Sequence, residues 1–259
     1  PWVAAANRSI ATNEMTKTRT ALAGPTSISS RSVLKMNRNG SAAVRKLVVA
    51  PTSLIHSSDP DGLREQAAYA REFKLGMHSH LLEVDFDEVA SLQKYGKRAV
   101  DYAGDCGWLG DDVWFAHLVH CDDYIIDRLA STGTGIAHCP TSNTFLGSGL
   151  FDLASARAAN VEVGLASDVG GGTSLSMLVT MAEAYKVCQL RGQSLNPFQA
   201  FYMATLGNAK VLHQEAETGN LAPGKMADFL IIDRAASPIQ QLKHSAERDL
   251  SGILFDLMI

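Results

Sequence analysis

The 259-residue sequence lacks the features by which membrane, disulfide-rich and nucleic-acid-binding proteins are usually recognised. Its four cysteines form no C-x-x-C pair, and in a chain of this size we interpret them as reduced thiols of a cytoplasmic protein. No apolar stretch approaches the roughly 18–20 residues that span a bilayer. The net charge is −4 and there is no basic run, so we expect neither nucleic acid nor an anionic membrane as a partner.

The first 45 residues show little hydrophobic periodicity and are rich in Ser, Thr, Arg and Asn. The opening stretch, PWVAAANRSIATNEMTKTRT, starts without an initiator methionine and has no apolar core of the kind found in signal peptides. We therefore expect residues 1–45 to form a poorly defined N-terminal segment and the sequence to begin inside a longer protein.

A regular alternation of short apolar runs and amphipathic stretches follows. The runs KLVVAP, LGMHSHL, DVWFAHLVH, TGIAHCP and VEVGLASDVG predict strands, and apolar residues at helical spacing lie between them. Strands that are apolar on both faces and separated by helices indicate an α/β fold with a parallel sheet covered by helices. Five such units suit a doubly wound sheet, and they equally suit the last five units of a (β/α)8 barrel.

Residues 215–259 break this alternation. In TGNLAPGKMADFLIID, Gly and Pro turns flank a short apolar run, which predicts a small accessory β element outside the sheet. The last stretch, SAERDLSGILFDLMI, has helical periodicity and predicts a helix.

Several polar residues stand where the predicted strands end. In a parallel α/β sheet the carboxyl ends of the strands meet at one edge, so side chains placed there can converge. Imidazole and carboxylate groups are ligands that zinc or iron uses when one position must stay open for water. The residues at these strand ends are His80, Glu83, His117, His120, His138 and Asp168.

Each of these residues also has a structural interpretation that needs no chemistry. A lone strand histidine is more often a hydrogen-bonded core residue, and Asp168 could cap the helix that follows its glycine loop. The stretch MHSHLLE leaves two alternatives open. His78 and His80 lie on one face of a strand and could bind one metal together, or His80 alone is a ligand and Glu83 carries protons.

The sequence then becomes similar to a known family. In order, SHLLE, FAHLVH, HCPTSN, LGSGLF and SDVGGGTSLSM resemble the later motifs of the zinc-dependent amidohydrolase superfamily, in its guanine deaminase and 8-oxoguanine deaminase branch. The resemblance covers roughly residues 46–259. It implies a (β/α)8 barrel whose partial form occupies residues 46–214, with part of an accessory β domain in residues 215–259.

The resemblance also implies a role for each site residue. His80, His117 and Asp168 match metal-binding or metal-adjacent positions of the family, with zinc as the expected ion and iron as an alternative. Glu83 matches the proton shuttle, and His117 and Asp168 share in catalysis. His78 is then a neighbour that does not reach the metal. The implied reaction is hydrolysis of guanine to xanthine and ammonia by a protein expected to be a homodimer when full length.

Two departures from the family pattern affect these expectations. No further H-x-H pair precedes residue 46, so we expect the first three barrel strands and their paired ligands to be absent from this chain. VVAPTSLIHS stands where guanine deaminases carry an arginine for the purine carbonyl. The alternatives are therefore an 8-oxoguanine or aminotriazine deaminase, or an inactive barrel fragment with a binding role.

Overall fold

The computed structural model describes residues 30–36, 42–246 and 248–259. Six strands form one sheet in which each strand lies beside the next one in sequence. The first two strands are antiparallel, and all later neighbours are parallel. The strands are β1 (Ser30–Met36), β2 (Ala42–Val49), β3 (Gly76–Leu81), β4 (Val113–His117), β5 (Gly135–His138) and β6 (Val163–Leu165).

Helices connect the parallel strands and continue after β6. Several begin with the side-chain caps expected from their sequences, such as Asp59 before α1 and Asp122 before α4. The helices are α1 (Pro60–Glu72), α2 (Phe86–Tyr95), α3 (Ala99–Asp105), α4 (Asp123–Thr132), α5 (Pro140–Leu146), α6 (Leu153–Ala158), α7 (Met177–Leu190), α8 (Pro197–Ala204), α9 (Leu206–Val211), α10 (Pro238–Ser245) and α11 (Leu250–Met258).

The strand order decides between the two folds that the sequence left open. A doubly wound sheet reverses its direction of growth at a switch point. Here β2 to β6 are added one after another in the same direction, which is the pattern of a (β/α)8 barrel. The prediction of an α/β barrel made of five consecutive parallel units is confirmed for these strands.

The sheet and its helices enclose a continuous apolar core. Every residue of β4 is buried, as expected for a strand in the interior of a parallel sheet. Met77 and Leu81 of β3 belong to this core, whereas His78 and His80 are half-buried on the opposite face of the strand. The alternation of β3 therefore separates Met77 and Leu81 from its two histidines.

Some local predictions differ from the structure. The apolar spacing of the stretch 85–107 predicts one helix. The structure divides it into α2 and α3, because Gly96 has a left-handed backbone (φ 66°) and ends α2. Helix α5 follows β5 without having been predicted. Strand β1 and the first four residues of β2 lie within the segment 1–45 that we expected to be poorly defined. Residues 1–29 and 37–41 of that segment lie outside the described residues.

The accessory β element predicted in the C-terminal stretch is not observed among the described residues. Among the described residues, none from 219 to 237 belongs to a strand. Leu230 and Ile231 are 86% and 90% exposed, so they gain no burial here. Apolar composition alone does not make a strand, which also needs a neighbouring strand for its backbone hydrogen bonds. Helix α11, by contrast, confirms the predicted helical end of the sequence. In the described part of the chain, no helix is long and apolar enough to cross a membrane.

Candidate metal-dependent active site

The candidate site lies at the carboxyl ends of the parallel strands. His80 is the residue before the last in β3, and Glu83 lies two residues beyond the end of that strand. His117 is the last residue of β4. Asp168 stands three residues beyond β6. His117 Nε2 lies 3.6 Å from Glu83 Oε2 and 3.9 Å from Asp168 Oδ2. The structure thus brings together three residues that are separated by 85 positions in sequence (168 minus 83).

His117 is the centre of this arrangement. It is only 1% exposed, and its Nδ1 lies 2.8 Å from Asn143 Oδ1. An amide oxygen can only accept, so Nδ1 donates in this pair, and in the neutral imidazole Nε2 then carries the lone pair. Nε2 is buried and has no hydrogen-bond partner, although two carboxylates face it. A lone pair surrounded by carboxylate oxygens fits a site that holds a cation.

Unusual backbone conformations bring these side chains into position. His117 has φ 72° and Asp168 has φ 42°, both in the left-handed region that non-glycine residues rarely occupy. Strict alternation along β4 would put His117 on the same face as Phe115. Instead its ring lies 5.2 Å from that of His80, on the face of β3 opposite the core. Backbone strain of this kind often marks functional sites.

His80 is oriented as a metal-binding histidine would be. Its Nδ1 lies 2.5 Å from the carbonyl oxygen of Thr52, in the loop after β2. A carbonyl accepts only, so Nδ1 donates and Nε2 keeps its lone pair. Metal-bound histidines almost always donate their second ring N–H to a carboxylate, a carbonyl or water, because this fixes the tautomer and the ring orientation.

His78 lies close to His80 but contacts Trp114, whereas His80 contacts Thr52. Their ring centroids are 5.9 Å apart, and His78 Nδ1 lies 3.1 Å from the carbonyl oxygen of Trp114, whose ring stacks against it. Burial, followed by the charge of His80, lowers the pKa of His78 from 6.5 to about 4. His78 is therefore neutral near pH 7. Its assignment as a neighbour that does not bind metal stays a prediction.

Cys139 lies beside these residues and is not among the site residues predicted from the sequence. Among the described residues, the donor atoms of His117, Cys139 and Asp168 form a group in which all lie within 4.8 Å of one another. Burial, followed by the charge of Asp168, raises the pKa of the Cys139 thiol. Its Sγ donates to the carbonyl oxygen of Ala137 at 3.2 Å. The thiolate is the form that binds metals, so the neutral thiol of Cys139 is a poorer ligand than the imidazole of His117 and the carboxylate of Asp168.

Glu83 is held by two residues that sequence analysis did not identify. The Ser148 hydroxyl donates to Glu83 Oε1 at 3.1 Å. Asp87 Oδ2 accepts the backbone N–H of Glu83 at 2.9 Å and that of Val84 at 3.4 Å. The contact with Ser148 joins two loops, and the contacts with Asp87 close a tight turn. Neither can be predicted from the periodicity of a strand or helix.

The glycine run after Asp168 allows close packing around the site. A Cβ at Gly171 would lie 2.6 Å from Ser142 Oγ and 3.1 Å from Asp168 Oδ2, nearer than such atoms normally approach. The run therefore serves to bring the backbone against Asp168 and α5. We did not predict phosphate binding for it, and nothing in this packing suggests one.

The other strand-end histidines do not enter the site. His138 is 1% exposed and packs its ring 4.6 Å from that of Phe151. Burial, followed by the charge of His117, lowers the pKa of His138 from 6.5 to about 3, so it is a neutral core residue. His120 Nε2 donates to the carbonyl oxygen of Ser148 at 2.8 Å. His56 lies beside Asp87, with Nε2 3.1 Å from Oδ1.

Comparison with known proteins identifies the family of this chain. Residues 32–257 match the model of the amidohydrolase family. The chain belongs to this family. It is 42% identical over 207 residues to guanine deaminase from Escherichia coli K12, covering 77% of this chain and 47% of that protein. It is 34% identical over 230 residues to 8-oxoguanine deaminase from Pseudomonas aeruginosa, covering 87% of this chain and 50% of that protein.

Solved structures show the same relationship in three dimensions. The structure of E. coli guanine deaminase superposes with a TM-score of 0.77 at 39% identity, covering 81% of this chain and 50% of that one. Guanine deaminase from Bradyrhizobium japonicum superposes with a TM-score of 0.74 at 26% identity, covering 81% and 52%. The chain of this amidohydrolase thus spans about half the length of the relatives it matches.

Proposed function

We propose that this amidohydrolase is a metal-dependent purine aminohydrolase that converts guanine and water to xanthine and ammonia. The observation that carries the proposal is the convergence on the buried, unpartnered Nε2 of His117. Glu83 and Asp168 place carboxylate oxygens 3.6 and 3.9 Å from it. The similarity to guanine deaminase from E. coli supports the choice of reaction.

His80, His117 and Asp168 would hold the metal, for which we propose zinc with iron as the alternative. The lone pairs on the two imidazoles and the carboxylate of Asp168 match the ligands that both ions accept. When bound, zinc acts as a Lewis acid that lowers the pKa of water from 15.7 to about 7.

The remaining steps fall to the side chains of this chain. Asp168 orients the attacking water, and His117 stabilises the charge that develops as the ring carbon is attacked. Glu83 takes one proton from water and delivers it to the ring nitrogen. It then takes the second proton from the hydroxyl group added to the ring carbon and passes it to the amine, so that the C–N bond breaks as the carbonyl forms and ammonia leaves. Proton transfer of this kind by a positioned carboxylate accelerates a reaction by about 10²–10⁴-fold. In Glu83, Oε2 is the oxygen that faces His117, since Oε1 accepts the hydrogen bond from Ser148.

A second substrate, 8-oxoguanine, is favoured by the loop after β2. Between Pro51 and Asp59 the loop holds no lysine or arginine that could pair with the purine carbonyl. A hydrogen bond to a charged group is worth about 1.5–3 kcal/mol, so guanine should bind about 10–150-fold less tightly than it would with that partner. The similarity to 8-oxoguanine deaminase points in the same direction. In Ser53→Arg, the ratio of kcat/KM for guanine to that for 8-oxoguanine should rise, and an unchanged ratio would rule this explanation out.

The proposed function is tested on the full-length natural protein. Zinc is measured by elemental analysis, and guanine loss is followed by absorbance before and after treatment with a chelator. Activity should require the metal, and Asp168→Asn should lose both, whereas Asp85→Asn on the exposed turn before α2 should retain both. An inactive barrel fragment with a binding role, the remaining alternative, would hold no stoichiometric zinc and form no xanthine.

Cellular location and assembly belong to the same proposal. The four cysteines are free in the structure, which suits the reducing cytoplasm. We propose a cytoplasmic homodimer that acts on a small-molecule purine.

A further inference from the structure

The carboxylate of the proposed proton shuttle is engaged at only one of its two oxygens. Ser148 Oγ donates to Glu83 Oε1 at 3.1 Å, while Oε2 points toward His117 Nε2 at 3.6 Å. A flexible glutamate has several staggered rotamers, and a single hydrogen bond at one oxygen selects among them. The contact thus fixes Oε1 by a hydrogen bond and leaves Oε2 facing His117.

Ser148 is itself rigidly placed. It is 7% exposed, its carbonyl oxygen accepts from His120 Nε2 at 2.8 Å, and its backbone N–H donates to the carbonyl of Asn143 at 2.8 Å. The following residue, Gly149, has φ 130°, and a Cβ there would lie 2.8 Å from Val119 Cγ1. Only glycine lets the loop come close enough for the Ser148 hydroxyl to reach Glu83.

The backbone of Glu83 is fixed from the other side. Asp87 Oδ1 lies 3.1 Å from His56 Nε2. The other oxygen, Oδ2, accepts the backbone N–H groups of Glu83 and Val84. The turn itself starts with Leu82 at φ 51°. The main chain of Glu83 is thereby set by Asp87, which leaves the direction of its side chain to be set by a second contact.

We propose that Ser148 is a positioning residue that holds the Glu83 carboxylate so that Oε2 faces the reacting groups. The inference rests on the proposed function, because it gives Ser148 its role through the proton shuttle. Ser148 touches neither substrate nor metal in this proposal. Its removal should therefore slow the chemical step and leave substrate binding unchanged, as expected for loss of catalytic geometry.

The chain offers a matched control on α5, five residues from Gly149. Thr144 Oγ1 donates to Glu183 Oε1 at 2.9 Å, a hydroxyl–carboxylate hydrogen bond of similar length. Glu183 lies on α7 and is not one of the residues that converge on His117. Thr144→Ala thus removes the same kind of bond from the same region without touching Glu83.

The experiment compares steady-state guanine hydrolysis by four variants of the full-length natural protein. Ser148→Ala should lower kcat by about 10–150-fold, the loss that a hydrogen bond to a charged group represents, with KM unchanged. Ser148→Thr, which keeps the hydroxyl, should recover most of that loss. Thr144→Ala should stay within about 2-fold of the unaltered protein. Glu83→Gln serves as the reference for loss of the shuttle itself.

Each outcome decides one question. A wild-type kcat in Ser148→Ala, or an equal effect of Thr144→Ala, overturns the assignment of Ser148. Near-normal turnover by Glu83→Gln overturns the proposed function instead, whatever Ser148→Ala does. If Ser148→Ala does not fold, Ser148→Cys keeps the size of the side chain with only a weak S–H donor, and should show the same loss of kcat.

Discussion

The carboxyl edge of strands β3 to β6 and the C-terminal stretch 219–237 contain similar apolar residues but differ in how they are packed. At the strand edge, Phe115 of β4 is fully buried and the polar atoms around His117 have defined partners or face one another. In the C-terminal stretch, Phe229 and Leu230 are 62% and 86% exposed. The difference shows that an apolar run forms a strand or helix only where a neighbouring strand or helix packs against it.

The two regions also differ in backbone strain. His117 and Asp168 at the strand edge hold left-handed conformations, with Leu82 and Leu118 beside them. Such conformations cost roughly 1–3 kcal/mol each and persist only where surrounding contacts determine them. A well-packed scaffold beneath the site is thus a condition for its geometry.

The largest effect is expected at Glu83. Glu83→Gln should reduce kcat by about 10²–10⁴-fold because the amide cannot carry the proton, while zinc content stays the same. Glu183→Gln, which removes a carboxylate from α7 that lies beside Thr144 and Lys186, is the matched control. Comparable losses in both variants would mean that Glu83 has no special role in the chemistry.

The next effect separates two histidines of one strand. His80→Ala should lose bound zinc, because removing one ligand removes much of a site's affinity. His78→Ala should keep it, since the His78 ring stacks against Trp114, whereas the His80 ring stacks against that of His117. Elemental analysis of both variants checks this, and equal loss of zinc would make the H-x-H stretch a ligand pair.

A stability experiment tests the comparison between the regions. In the 259-residue chain, Phe115→Ala should lower the free energy of unfolding by about 3–5 kcal/mol, since a buried ring leaves a cavity. Ile231→Ala, at a residue that is 90% exposed, should change it by no more than about 0.5 kcal/mol. Urea titration gives both values, and a loss above 1 kcal/mol for Ile231→Ala would show that the C-terminal stretch is packed after all.

The smallest effect, counted per pH unit, concerns the neutral core histidine His138. The pKa of His138 in the folded chain is about 3, below the 6.5 of an exposed histidine, so the unfolded chain binds the additional proton between these values. Stability is therefore fully present above pH 6.5 and falls as the pH is lowered toward 3. One proton corresponds to about 1.4 kcal/mol per pH unit. The slope should be smaller in His138→Gln, and identical slopes in the two proteins would contradict the burial of a neutral imidazole.

Periodicity and strand-end placement could predict much of the fold and part of the site. The five parallel strands followed from apolar runs separated by helical spacing, and the residues His80, Glu83, His117 and Asp168 stand where such strands end. Resemblance to the family added their proposed roles. The break between α2 and α3 could have been anticipated from Gly96, whose left-handed backbone ends α2.

The remaining contacts depend on tertiary geometry. Ser148 reaches Glu83 across 65 residues, and Asn143 reaches His117 across 26. Loop conformation sets both contacts, and no local pattern encodes them. Cys139 enters the donor group for the same reason, because β5 ends just before it. The accessory β element was predicted from apolar composition, which does not identify the neighbouring strand that a β-strand pairs with.

The position of the metal tests the central claim most directly. Crystals of the full-length natural protein, measured on both sides of the zinc absorption edge, should show one anomalous peak within bonding distance of His80, His117 and Asp168. A peak coordinated by Cys139 or His78 in place of His80, or no peak at a stoichiometry of one zinc per chain, would contradict the account.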